Sequence, residues 1–455
     1  MTALPLPAFA QARAETDAAA PARTPAPPRE LVAAPARQRL RPSQETAIWT
    51  FDGGAAAPPL RLRRGESVTL GLVNKTERPL SLHWHGLRGD NAMDGVGGMT
   101  QEPVAPGARF DYRLTPPDSG TILYRPLLLG GSSEPAGRGL AGLLVVEEET
   151  PPVVDLDLPV LVQDWLLDDG GAIAAFDASA PQGAGGGRLG SWLTVNGAAP
   201  PHQIKLRPGS RVRLRLANAC NARIMRLRFD GLTAHVVAVD SQPTDTFEPV
   251  RAQLPFAPGT RYDVIVELPE QEGASASLMA LIGAGLPLVR FVCEGKPLAK
   301  REALVALAPN PALPAAVRLQ DARRADIVIE GGARIGADNR LDLGAVDPKR
   351  PWAINGKVGA AGDKPLLSVK RGTPLVLAVT NRTDFMQPLH VHGHSVRLLH
   401  PLDDGWEPYF LDTVQIPDGK RLHIAFIADN PGRWLISSTI LERFDLGMWT
   451  WFEVT

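Results

Sequence analysis

Little in this chain restricts it to a special class. Only two cysteines, Cys220 and Cys293, occur in 455 residues. That count excludes a scaffold stapled by many disulfides. Two readings stay open: one bridge in an oxidising compartment, or two buried thiols. No apolar run approaches the roughly 18 residues of a membrane-spanning helix, so no span is expected. The net charge is −1 and lysine and arginine form no stripe, which argues against a nucleic-acid partner. Helical periodicity is weak nearly everywhere.

Turn formers are abundant. Gly 44 and Pro 43 make up about a fifth of the chain and favour many short strands over long helices. Apolar residues at 44% and charged residues at 21% leave ample material for cores. At roughly 100–200 residues per domain, the length suggests two to four domains.

One pattern occurs three times: a Gly turn, then an alternating strand that ends on Asn. The copies are LRRGESVTLGLVNKT (62–76), LRPGSRVRLRLANAC (206–220) and VKRGTPLVLAVTNRT (369–383). Alternation gives each strand one buried face. Three copies about 145 to 165 residues apart predict three related all-β sandwich domains. The expected divisions are 45–150, 151–306 and 307–455. Residues 1–44 are expected to lie outside them. LPLPAFAQARAE (4–15) reads either as the end of a truncated secretory signal or as part of an Ala/Pro-rich tail, with residues 13 to 42 flexible in both cases.

Two stretches carry metal chemistry. In LHWHG (82–86), His83 and His85 sit two apart on a strand and share one face, with Trp84 turned the other way. In QPLHVHGHSVRLL (387–399), His390 and His392 repeat that spacing and His394 extends it. Paired imidazoles on one face form half of a metal site, and two such halves can meet between the first and third domains. Taken singly, each pair reads first as two hydrogen-bonded histidines on a domain face.

With these motifs, and with MDGVGGMTQEPVAPG (93–107), VNGAAPP (195–201), PGTRYDVIVE (258–267), LDTVQIP (411–417) and WLISSTILERFDLGMW (434–449), the chain resembles a three-domain multicopper oxidase from about Ile48 to Thr455. The resemblance implies three cupredoxin-like Greek-key domains. It also implies a type 1 copper on Cys and two His with an axial Met, and an oxygen-reducing cluster of one type 2 and two type 3 coppers on eight His. This chain has nine His, one short of the ten required.

Matched motif by motif, His83 and His390 stand at type 2 positions, and His85 and His392 at type 3 positions. Arg125 and Leu127 replace the type 3 pair of the second motif, and Gln387 replaces a type 1 His. Ser437 and Thr439 stand where type 3 His should be, Ser438 where the type 1 Cys should be, and Arg443 at the remaining type 1 His. Met448 keeps the axial position, and Asp94 stands at the family's acidic position beside the oxygen-reducing site. Without a thiolate the type 1 site is not expected to form. The four remaining His leave either no metal or one copper or zinc. Asp94 is expected to pair with Arg125. His202, His235, His400 and His423 match no ligand position.

The family includes a copper-less bacterial member that acts in cell division. The expected function is therefore a periplasmic or secreted monomer that binds an unidentified protein partner and is not an active oxidase. The alternatives are a one-metal protein and an oxidoreductase.

Overall fold

The computed structural model describes residues 29–41, 44–52, 59–176, 182–314, 316–338, 340–344, 346–399, 405 and 407–455. The segment read as a signal or tail (residues 1–28) and His400 lie outside them. Strands dominate, and the two α-helices among the described residues, Ser133–Gly137 and Leu441–Asp445, have five residues each. No helix among the described residues is long and apolar enough to cross a membrane.

The strands form three two-sheet units. In the first, Gln44–Phe51, Arg29–Arg41, Val68–Asn74 and Arg109–Leu114 form one sheet in that order. Leu60–Arg63, Gly142–Glu147, Gly120–Pro126 and Leu82–His85 form the other. The second unit pairs a six-stranded with a five-stranded sheet. The third pairs two five-stranded sheets and adds the small ribbon Arg334–Ile335/Leu341–Asp342.

The threefold sequence pattern corresponds to one repeated device. Val68–Asn74, Arg211–Asn218 and Thr373–Asn381 each run parallel to the strand that opens their unit and antiparallel to a later one. Each ends on a buried asparagine. Asn74 Nδ2 donates to the carbonyls of Arg78 and Val104, Asn218 Nδ2 to those of Arg223 and Phe256, and Asn381 Nδ2 to those of Phe385 and Ile416. Each Oδ1 accepts the backbone N–H two residues on. One amide thus satisfies the backbone where the strand breaks into a loop. Replacing Asn218 by Ala strips these groups of partners inside the core. We expect a loss of about 2–4 kcal/mol, read as a lower denaturation midpoint at unchanged slope. Asp should do no better, because its carboxylate would face two carbonyls.

Arg29–Arg41 corrects the expectation of a flexible segment to residue 42. It is the opening strand of the first unit, with Arg29–Ala33 paired to Leu70–Asn74 and Ala33–Gln38 to Thr46–Phe51. Its apolar alternation is carried by Leu31, Ala33 and Leu40 and is diluted by Ala, Pro and Arg. Pro35 fits because the parallel ladder stops at Ala33, which leaves that edge without a bond to donate. Cys220 and Cys293 are separate, buried thiols.

Trp84 packs into the first core against Tyr112 and Tyr124, with ring centroids 5.5 Å from each. The alternation of that strand turns His83 and His85 out of the core, toward the third unit. Trp434, buried against His394, and Trp449 serve packing.

Candidate metal centre

The two His-x-His strands meet face to face. Their four rings form one buried cluster. Centroids are 3.7 Å apart for His85 and His390, which stack, 4.3 Å for His83 and His392, 4.5 Å for His390 and His392, and 5.4 Å for His83 and His390. His394 turns away: its Nδ1 bonds the His392 carbonyl and its ring packs against Phe426 and Phe452.

Hydrogen-bond partners assign the tautomers. His83 Nδ1 lies 2.7 Å from the Asp94 carbonyl and His390 Nδ1 lies 3.0 Å from the Asp412 carbonyl. A carbonyl only accepts, so both Nδ1 atoms carry the proton and both Nε2 atoms hold a free lone pair. Those two Nε2 atoms are buried and have no partner. Thr413 Oγ1 donates to Asp412 Oδ1 at 2.8 Å, so His85 Nε2, 2.8 Å from that hydroxyl, must donate to it. The lone pair of His85 is left on Nδ1. His392 is satisfied at both ends: Nδ1 donates to Asp94 Oδ2 at 2.9 Å and Nε2 accepts from Ser437 Oγ at 3.1 Å.

Two groups have the spacing to hold an ion, His83/His85/His390 and His83/Asp94/His392, with ligand atoms within 4.8 Å of one another. The tautomers favour the first, since Asp94 and His392 already bond each other. Charge agrees. Burial pushes His85 well below its ordinary value, lowers His390, and takes His392 down to about 3, so these imidazoles are neutral donors. Burial resists ionisation of Asp94, but His392 and His83 outweigh it and hold the carboxyl well below the usual range.

A second layer fixes these ligands, and sequence reasoning missed it. Arg261 grips Asp412 through both carboxylate oxygens, at 2.5 and 3.0 Å, and donates to the carbonyls of Thr121 and Gly259. Asp240 Oδ2 accepts the backbone N–H groups of Asp412 and Thr413. Burial opposes Asp412 ionisation too, and Arg261 overrides it. Asp412 and Arg261 both lie in stretches quoted above, LDTVQIP and PGTRYDVIVE, yet nothing in either marks it as a support for His85 and His390. Gly259 must be Gly: a Cβ there would lie 2.6 Å from His85 Cε1, and its φ is +87°.

The residues matched by motif to the other copper-ligand positions make contacts of their own. Arg443 donates to Gln387 Oε1 at 2.5 Å and to the carbonyls of Met386 and Gly185 at 2.9 Å, and its guanidinium lies over the Trp352 and Phe385 rings. Burial pushes it down to about 9, still cationic at neutral pH. Gln387 Nε2 bonds Thr383, Ser438 Oγ accepts from the Ile440 N–H, and Leu127 joins an apolar cluster with Leu435 and Phe444. Met448 is fully buried.

The expected Asp94–Arg125 pair does not form among the described residues. Asp94 is taken by His392 and His83, whereas Arg125, opposite His83 on the neighbouring strand, reaches across to the Thr439 carbonyl at 3.2 Å. Of the unmatched histidines, His202 and His423 lie on strands outside the cluster, and His235 faces Glu248.

Three all-β units with facing histidines between the first and third define the class. The multicopper oxidase family pattern matches residues 35–151, 157–279 and 337–455, and the chain belongs to that family. It is similar to the multicopper oxidase MmcO of Mycobacterium tuberculosis, at 26% identity over 85% of this chain and 79% of the relative. It is likewise similar to the cell division protein FtsP of Sodalis glossinidius, at 29% over 89% and 84%. The solved multi-copper oxidase from Pseudomonas thermotolerans superposes with a TM-score of 0.82 at 29% identity, covering 94% of this chain and 98% of that one.

Proposed function

We propose that this protein keeps the multicopper oxidase fold without the oxidase reaction, and that it acts in the periplasm or outside the cell by binding a protein partner. The observation that carries this reading is Arg443. At the position of a type 1 ligand stands a group cationic at neutral pH whose Nη1 and Nη2 donate to Gln387, Met386 and Gly185. Ser438, at the thiolate position, offers a hydroxyl bonded to the backbone. Neither supplies the soft donor that electron entry requires. Arg125 and Leu127 likewise replace imidazoles of the type 3 pair. Similarity to FtsP, a cell division protein, supports a role that is not oxidation. Oxygen uptake by copper-treated protein with a phenolic reductant should not rise above that of free copper. Sustained four-electron reduction of oxygen to water would refute this reading.

A specific observation favours one bound metal ion. His83 Nε2 and His390 Nε2 are buried lone pairs without a donor, and His85 joins them in a group whose ligand atoms lie within 4.8 Å of one another. This donor set fits a single copper or zinc and does not fit four coppers. A copper there would supply one Lewis-acidic centre. The protein's part is to hold three imidazoles through the Asp94 and Asp412 carbonyls and the Thr413 hydroxyl. Because these ligands come from two units, the ion would also tie the first unit to the third. Metal removal is therefore expected to lower the thermal midpoint of wild type and to leave a His83→Ala/His390→Ala variant unmoved.

A further inference from the structure

We propose that Arg125 is the centre of a buried binding site for a small monovalent anion between the first and third units. Among the described residues the other buried arginines face a carboxylate, except Arg443 and Arg188, the latter donating to the carbonyls of Ala174 and Ala175. Arg88 is paired with Asp118, Arg213 with Glu148 and Asp263, Arg215 with Asp157 and Asp263, and Arg261 with Asp412. Arg443 has three oxygen acceptors and two aromatic faces instead. Arg125 has neither arrangement. Its one bond is from Nη2 to the Thr439 carbonyl, while Nε and Nη1 are buried with no partner. Among the described residues it makes no ion pair; the Glu442 carboxylate, its Oε1 bonded by Asn221 and its Oε2 buried without a partner, acts on it only through space.

Burial lowers Arg125 only to about 10, so the charge persists at neutral pH. A buried cation with two idle donors calls for a counter-charge. Thr439, whose carbonyl Arg125 binds, also has a buried hydroxyl without a partner. Two guanidinium N–H groups on one side chain form a donor set for an anion, and a single guanidinium charge balances a single negative charge. Arg125 is 2% exposed, so the ligand must be small. A halide meets these conditions and asks for no directional match.

The site rests on Arg125 and not on metal occupancy. With an ion on His83 and His390, the anion would also screen it from the guanidinium, since Arg125 stands directly opposite His83 in the strand register. Chelator-treated, metal-free crystals grown without chloride and soaked in bromide test the proposal by anomalous scattering at the bromine edge. The expected result is a bromide in contact with Arg125 Nε or Nη1 in wild type and none at that place in Arg125→Met. In solution, bromide should raise the wild-type unfolding midpoint at constant ionic strength and leave the variant unmoved. Surface bromides with only water, or no density, at Arg125 would overturn the proposal. So would a bromide that appears only once metal is added. If Arg125→Met does not fold, the wild-type crystal decides. Failure of His83 and His390 to bind metal would leave the bromide result unchanged, so the two readings fail separately.

Discussion

Replacing Arg261 by Met is expected to lower stability by roughly 3–5 kcal/mol, the largest single effect of any substitution considered. The guanidinium is fully buried and touches all three units: Thr121 in the first, Gly259 in its own, Asp412 in the third. Its removal leaves Asp412 buried without a counter-charge, beside Asp240, which burial and Asp412 already push up to about 7. The loss should depend on pH. In wild type the Asp412 pKa is depressed in the folded state, so its contribution is present above the unfolded carboxyl value and is lost as pH falls through the folded one. In wild type Asp240 holds a proton that the unfolded chain releases up to about pH 7; without Arg261 the pair should hold it to higher pH, so the variant goes on weakening where wild type levels off. The gap between the two proteins, followed by denaturation from pH 5 to 8, should widen toward pH 8. A gap that narrows would reject Arg261 as the counter-charge.

Replacing Arg443 by Met should cost about 3 kcal/mol, since three acceptors, Gln387 Oε1 and the carbonyls of Met386 and Gly185, lose a charged donor inside the core. Adding Gln387→Leu should return part of the loss by removing one of those stranded acceptors, a coupling that a double-mutant cycle measures. Arg443→His tests the chemical side: with serine at position 438 it should give no blue copper spectrum. Equal stability of Arg443→Met and wild type would mean that the guanidinium does not hold this pocket.

What the sequence conveyed follows from interaction range. The Gly turn and the terminal Asn of each repeat act within a few residues, so three all-β units were legible, as were two imidazoles on one face from a spacing of two. Arg29–Arg41 was not, because its partner strand Val68–Asn74 supplies the order that its own Ala, Pro and Arg conceal. Asp94 and Arg125 were expected as partners and are not. Position says which cavity a side chain lines, and only packing decides that His392 reaches the carboxylate first. Arg261 and Asp412, 151 residues apart, could be paired by the fold alone.

The central claim, that the fold is kept without the four-copper reaction, is tested most directly by copper content and visible spectrum after expression in copper-supplemented medium. One equivalent per chain or none, without blue absorbance, is the result this account requires, and any bound equivalent should be lost in His83→Ala/His390→Ala. Four equivalents per chain with an intense blue band would contradict it.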